Sequence, residues 1–500
     1  MTAFIALSGA LPAEANATEA GAAQMFDRLV HQPGRLRIFL QAMPKGGDLH
    51  NHLWGAPYAE DFLGWAATDG LCISRAAKAI VPAPCNANDT PPAQGLGSRD
   101  PALYATMIDA LSMRNYVHGA GAAASGHDQF FDSFDRFAAA ALPSTGRMIA
   151  VAVGMAARDH VSYVELMSNP DEAHDLGMLA QSKPWTATDF AADLAGIERD
   201  LPKLVTEASA ATDTAQAEAR TILGCGAAPS RPACAVTVRF QAFALRSQAP
   251  AYVFGQLAFA FALAEKDHRY VGVNIVAPED GPVAMADYDL HMHMLRFFAA
   301  RHKSVRLSLH AGELTLGLVP ALALRNHIHD AVEIAGASRI GHGVDIAFED
   351  DAPALMSRMA RDHIAVEINL TSNDGILGVR GTAHPLAAYR AAGVPVVLST
   401  DDEGVSRSDM TNEYLRAATE QGLRYVDLKT IARASLEYAF LPGQSLWQGG
   451  VIGSLVPACQ PVSPTPACDR LLAASEKATA QWRLETEFRA FETAVVAQAF

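Results

Sequence analysis

Eight short apolar runs punctuate the chain, each closing in small or polar residues and most followed by segments with helical spacing. They read as strands at 48–53 (DLHNHL), 161–167 (VSYVELM), 235–245 (AVTVRFQAFAL), 270–276 (YVGVNIV), 305–310 (VRLSLH), 339–344 (RIGHGV), 363–370 (HIAVEINL) and 394–400 (VPVVLST). Between the later runs, VPALALRNHIHDAVEIAG (319–336) and APALMSRMARDH (352–363) carry a helical pattern. Strands that alternate with helices pair in parallel, and eight such units predict an α/β fold, a closed (β/α)8 TIM barrel. An open doubly wound sheet is the alternative, but no Gly-rich dinucleotide fingerprint follows any strand.

Two intervals are too long for simple loops. Residues 66–125 form an insertion after the first strand, and residues 172–234 read as polar helices after the second. The barrel is expected over 26–440, and a C-terminal extension over 441–500 ends in a helix at 470–500. Residues 1–25 read either as the remnant of an export signal, without a basic leading region, or as a disordered Ala-rich terminus.

Half of the residues are apolar, enough for a large core, and the net charge of −15 without any Lys/Arg run argues against nucleic acid. No apolar run approaches the roughly 20 residues of a membrane-spanning helix, so a soluble protein is expected. The six cysteines fall into local pairs, Cys72/Cys85, Cys225/Cys234 and Cys459/Cys468. None has the Cys-x-x-Cys spacing of a structural zinc site, so disulfides are the better reading than free thiols. Disulfides place the protein in the periplasm or outside the cell; free cysteines would place it in the cytoplasm.

Chemistry collects at the carboxyl ends of the strands, which converge on one face of a barrel. The first strand ends with His50 and His52, which point the same way because side chains alternate. The fifth leads to His310 and Glu313, the sixth to His342, and the eighth to Asp401 and Asp402. Each has a plain reading alone: a turn for His342, a helix cap for the aspartates, a surface ion pair for Glu313 and His310. Four strands placing such residues at the same end by accident is a far weaker reading than one site. Three imidazoles and a carboxylate (His50, His52, His310, Asp401) suit one Zn²⁺ per chain, or another transition metal such as Co²⁺, Fe²⁺ or Mn²⁺. Such a metal generates a hydroxide nucleophile. His342 is placed to deprotonate or orient the water, Glu313 to donate a proton, and Asp402 to accept a hydrogen bond from the substrate. The His-Glu-x-x-His, Gly-x-Ser-x-Gly, cytidine-deaminase and Walker signatures are all missing.

The stretches MPKGGDLHNHLWGA, SYVELMSNP, SLHAGEL, RIGHGVD, LTSND and LSTDDEG, over about residues 43 to 405, resemble the adenosine deaminase family of the metal-dependent amidohydrolase superfamily. MPKGGDLHNH with a long insertion behind it is closer to the secreted, growth-factor-related (ADGF-like) branch, as is VGVNIVAPEDG (271–281). The resemblance implies a zinc barrel in which water adds to C6 of adenosine or a related 6-aminopurine nucleoside. Glu313 would protonate N1, His342 would handle the water's proton, Asp402 would face N7, and ammonia would leave an inosine-type product. It also implies substrate contacts at Ala277, Glu279 and Asp280, and at Trp54, which stands where compact members carry a ribose-binding Asp. Further departures are Ala277 in the place of a Gly, Asn274 in the place of a frequent Asp, and NLTSN (369–373) without the usual Cys-Pro. These leave open a second function, hydrolysis of another C–N bond in a modified purine, an aminoheterocycle or an amide. A binding protein with a vestigial centre is the least supported. The insertion at 66–125 is a candidate homodimer contact, with a plain surface loop as the alternative.

Overall fold

The computed structural model describes residues 13–118, 125–460 and 465–497. Its main sheet has eight strands: β1 (Gly46–His52), β2 (Val161–Met167), β3 (Thr237–Leu245), β4 (Tyr270–Val276), β5 (Arg306–Ala311), β6 (Arg339–His342), β7 (Ala365–Ile368) and β8 (Val396–Leu398). They pair in chain order, every pair parallel. The ring closes where β1 meets the segment after β8: His52 N donates to the Asp401 carbonyl at 3.1 Å, and Asp401 N to the His50 carbonyl at 2.8 Å. The fold is a (β/α)8 barrel.

Both faces of these strands are covered, so β2 and β4 bury nearly every residue instead of alternating. Outside them, helix Pro250–Lys266 is apolar almost all round because it lies against β3, β4 and helix Glu172–Gln181. The two helices cross at glycines: a Cβ on Gly255 would fall 2.7 Å from the Leu176 carbonyl oxygen.

β2 and β4 match the apolar runs residue for residue, and two later expectations are corrected. The run at 363–370 leaves the sheet after Ile368, and Leu370–Leu377 is a helix. The helix expected over 319–336 breaks into a 3-10 turn (Ala321–Leu324), a short α-helix (His327–Asp330) and a π turn (Ala331–Ala335).

The connection from β1 to β2 holds helix Ala59–Thr68, a hairpin of Cys72–Ser74 with Ala79–Val81, and helices Pro101–Ala110, Gly126–Ala141 and Thr145–Arg158. Helix Gly126–Ala141, which follows the expected insertion, lies against Leu370–Leu377, so the β1–β2 connection reaches over the carboxyl face of the barrel. All three expected disulfides are present, Cys72–Cys85, Cys225–Cys234 and Cys459–Cys468.

Residues 13–25, within the segment read as an export-signal remnant or a disordered terminus, lie in a helix. Helix Ala13–Leu29 packs on the C-terminal helix Glu476–Val496, with Phe26, Phe39, Tyr425 and Phe491 in edge and tilted ring contacts. Such contacts contribute about 0.5–1.5 kcal/mol each beyond area burial. Most of the expected export signal, residues 1–12, lies outside the described residues. The single helix expected at 470–500 is two, Pro466–Ala474 and Glu476–Val496, the second capped by Ser475 through the Ala478 amide at 3.0 Å. Among the described residues no single helix is long and apolar enough to cross a membrane.

Candidate metal centre and active site

Two histidines on one strand and an aspartate across the barrel seam bring three donor atoms together. Nε2 of His50 and Nε2 of His52 lie 3.4 and 3.3 Å from Oδ1 of Asp401. From β5, His310 brings its Nε2 to 3.0 Å from that of His52. All four ligand atoms lie within 4.8 Å of one another.

The donor set fits a metal ion on evidence internal to the fold. Nε2 of His50 is fully buried and has no hydrogen-bond partner among the described residues. Its other nitrogen, Nδ1, is held by Oε2 of Glu367 at 2.7 Å. Nδ1 of His310 is likewise held by Oδ1 of Asn274 at 2.9 Å. Both rings therefore keep a proton on Nδ1 and aim Nε2 inward, the arrangement of metal-ligating imidazoles. Burial disfavours the His50 charge, but Asp401 and Glu367 outweigh it and raise its pKa to about 10, so a metal would have to displace the Nε2 proton there. Burial holds His310 well below its ordinary pKa and lowers His52 to about 4, so both stay neutral.

Glu313, His342 and Asp402 surround this centre and are nearly inaccessible to solvent. Burial, and then the Asp401 charge, raise the Glu313 pKa; the same two causes raise Asp402 well above the carboxylate range. Nδ1 of His342 lies 3.6 Å from Oε1 of Glu313. On its far side Nε2 is 4.0 Å from Oδ2 of Asp401. The backbone is strained where it turns into the site: Ala277, His342 and Asp401 have φ of +85°, +70° and +60°. Left-handed non-glycine residues cost of order 1 kcal/mol each and concentrate where side chains must be aimed against local preference.

Two of the expected substrate contacts also have partners within the protein. Glu279 is fully buried beneath the loop after β5: it accepts from Gly312 N at 3.1 Å and Glu313 N at 2.8 Å, and binds His327 Nδ1 at 2.6 Å. Through these contacts it braces the Glu313 backbone. Asp280 pairs with Nε2 of His127 at 2.9 Å and so ties the β4 loop to helix Gly126–Ala141. Ala277 is half-buried at the mouth, its carbonyl held by Nε of Arg246 at 2.7 Å. Trp54 is half-buried just beyond β1.

The adenosine deaminase model matches residues 112–446, well over half of the chain. The chain belongs to the adenosine deaminase family. The matched region holds His310, Glu313, His342, Asp401 and Asp402; β1, with His50 and His52, lies before it and joins the same centre in space. The adenosine deaminase of Serratia proteamaculans (strain 568) is 39% identical over 149 residues, 30% of this chain and 42% of that protein. The chain thus matches less than half of that relative's length. Two solved structures share the fold of this family member. The adenine deaminase of Arthrobacter aurescens has a TM-score of 0.51 at 16% identity, covering 80% of this chain and 94% of its own. An amidohydrolase from Burkholderia ambifaria, solved with bound Zn, has a TM-score of 0.50 at 17% identity, covering 92% and 95%.

Sequence reasoning missed Glu367, Arg246, Asn373 and His384. An acid inside an apolar strand, as in IAVEINL, was the available signal for Glu367, since a buried carboxylate needs a partner. Asn373 lies in the family-like stretch LTSND but has no role assigned from it, and His384 carried no signal; both reach the site only through His342.

Proposed function

We propose that the protein is a hydrolytic deaminase of adenosine or a related 6-aminopurine nucleoside, using one Zn²⁺ held by His50, His52, His310 and Asp401. The observation that carries this reading is the convergence of these four donor atoms within 4.8 Å beside Glu313 and His342. When bound, zinc supplies Lewis-acid activation of water at neutral pH.

The chain's own residues supply the rest. Glu313, its pKa raised by burial and by Asp401, holds a proton to deliver to ring nitrogen N1 as C6 is attacked. His342 faces the attacking water and orients or deprotonates it. Asp402, also raised, meets N7 by a hydrogen bond. Water adds, the C6–N bond breaks, and ammonia leaves an inosine-type product. Burial of all three groups limits competing bulk water. The three disulfides support an exported protein in an oxidising compartment.

A second reading, hydrolysis of another C–N bond by the same centre, is supported by one feature of the mouth. Ala277 holds its left-handed backbone with a methyl group attached, which narrows the space beside the β4 loop. The deciding experiment adds purified, metal-quantified protein to adenosine and follows ultraviolet absorbance and ammonia. Equal loss of adenosine and release of ammonia, abolished in Glu313→Gln, is the expected result. No turnover with metal bound would overturn the nucleoside reading and direct the assay to N6-substituted purines, aminoheterocycles and amides.

A further inference from the structure

In a buried hydrogen-bond chain, the protons are set by whichever end cannot change its polarity. A backbone amide is such an end, because it only donates. Leu386 N donates to Nδ1 of His384 at 3.1 Å. Nδ1 is therefore the bare nitrogen of that ring, and Nε2 carries the proton. Burial lowers the His384 pKa to about 4, with Arg416 adding to the effect, so the ring is neutral.

Nε2 of His384 meets Oδ1 of Asn373 at 3.0 Å, as a donor must. This fixes the Asn373 amide, since turning it over would set an N–H against an N–H. Its Nδ2 then points at Nδ1 of His342, 2.9 Å away. Nδ2 of Asn369 approaches the same atom at 3.3 Å. Two amide donors on one nitrogen leave it no proton of its own.

We infer that His384 and Asn373 are positioning residues that hold His342 as its Nε2–H tautomer, so that His342 donates a hydrogen bond to the attacking oxygen and does not take its proton. The strained φ of His342 turns Nε2 toward Asp401, so the N–H faces the reacting side of the site. The role left for His342 is to orient the attacking oxygen and stabilise its negative charge, while Glu313, once it has protonated N1, takes the oxygen's proton and passes it to the leaving amino group.

The catalytic consequence rests on the deaminase reading, whereas the tautomer does not. The test is a nitrogen-15 spectrum of the protein with its metal bound and its histidines labelled, with the His342 signals assigned by their loss in His342→Gln. A bare Nδ1 and a protonated Nε2 near neutral pH are expected. Asn373→Asp replaces the donor facing Nδ1 with an acceptor and should move the proton to Nδ1. If the protein deaminates adenosine, kcat should then fall about 10²–10⁴-fold, the scale of a wrong-tautomer substitution, with KM within about threefold. His384→Gln, whose amide can still donate to Asn373, should keep the wild-type tautomer and most of kcat. His384→Leu should give a mixture of tautomers. A protonated Nδ1 in the wild-type protein, or an unchanged tautomer in folded Asn373→Asp, overturns the inference. If no substrate is turned over, the deaminase reading fails while the spectrum still decides the tautomer.

Discussion

Nδ1 of His50 and Oε2 of Glu367 meet at 2.7 Å inside the barrel, 317 residues apart in the chain. The other oxygen of Glu367 accepts from Ser308 and from buried Arg339, so this carboxylate cannot turn. In Glu367→Gln the remaining oxygen has to serve those two donors, and the new amide faces His50. The His50 proton is then driven to Nε2, the ligand atom. Metal affinity is expected to fall about 10–100-fold, measured by competition with a chelator. Unchanged affinity would show that His50 is not a ligand.

His310 is backed by an amide where His50 is backed by a carboxylate. Asn274→Asp makes the two alike and increases the basicity of His310, so metal should be held about tenfold more tightly. The change also removes the Asn274 Nδ2 donor from Oε1 of Gln241, now 3.2 Å away. Leaving that buried acceptor unpaired costs about 1–3 kcal/mol. Tighter metal binding with a lower urea midpoint for the metal-free protein is the expected combination; equal affinity would remove Asn274 from the centre.

Gly55 fits against Asp402. A Cβ there would lie 1.7 Å from Oδ1 of Asp402, so Gly55→Ala forces the aspartate to move. The cost in stability is about 1–3 kcal/mol. Catalysis should suffer more, with kcat/KM falling at least about tenfold if Asp402 loses one hydrogen bond to the transition state. Metal content should stay at the wild-type level, which separates Asp402 from the ligands.

His127 joins helix Gly126–Ala141 to the β4 loop through Asp280. Burial disfavours its charge, but the hydrogen bonds and charges of Asp280 and Asp128 outweigh it and raise the pKa to about 9. A histidine whose folded pKa exceeds its unfolded value of about 6.5 stabilises the fold fully below that value and stops doing so as pH rises through the folded pKa. Hydrogen exchange in helix Gly126–Ala141 and in the 277–281 loop should therefore quicken from pH about 7 to about 10 beyond the intrinsic rate. In His127→Phe the two pH values should give equal protection; an equal pH effect in both proteins would rule the pair out.

Much of the site was legible because strand ends in a barrel share one face. Local pattern alone located the strands, and their terminal residues then had to meet: His50, His52, His310, Glu313, His342, Asp401 and Asp402 all do. The disulfides were legible for a similar reason, since short loops between paired cysteines leave few alternatives.

What tertiary structure decided is which groups stand behind those residues and which way the loops turn. Glu279 and Asp280 are adjacent in sequence, yet one braces the Glu313 backbone and the other reaches helix Gly126–Ala141. Helix Ala13–Leu29 reads as a polar, Ala-rich segment until the C-terminal helix covers its apolar side. Glu367 and His384 orient site histidines through bonds whose partners the chain brings together only on closing. Strand pattern depends on spacing between near neighbours, so the sequence itself determines it. Proton positions and buried charge pairs depend on distant groups sharing a low-dielectric interior, and only the folded barrel sets them.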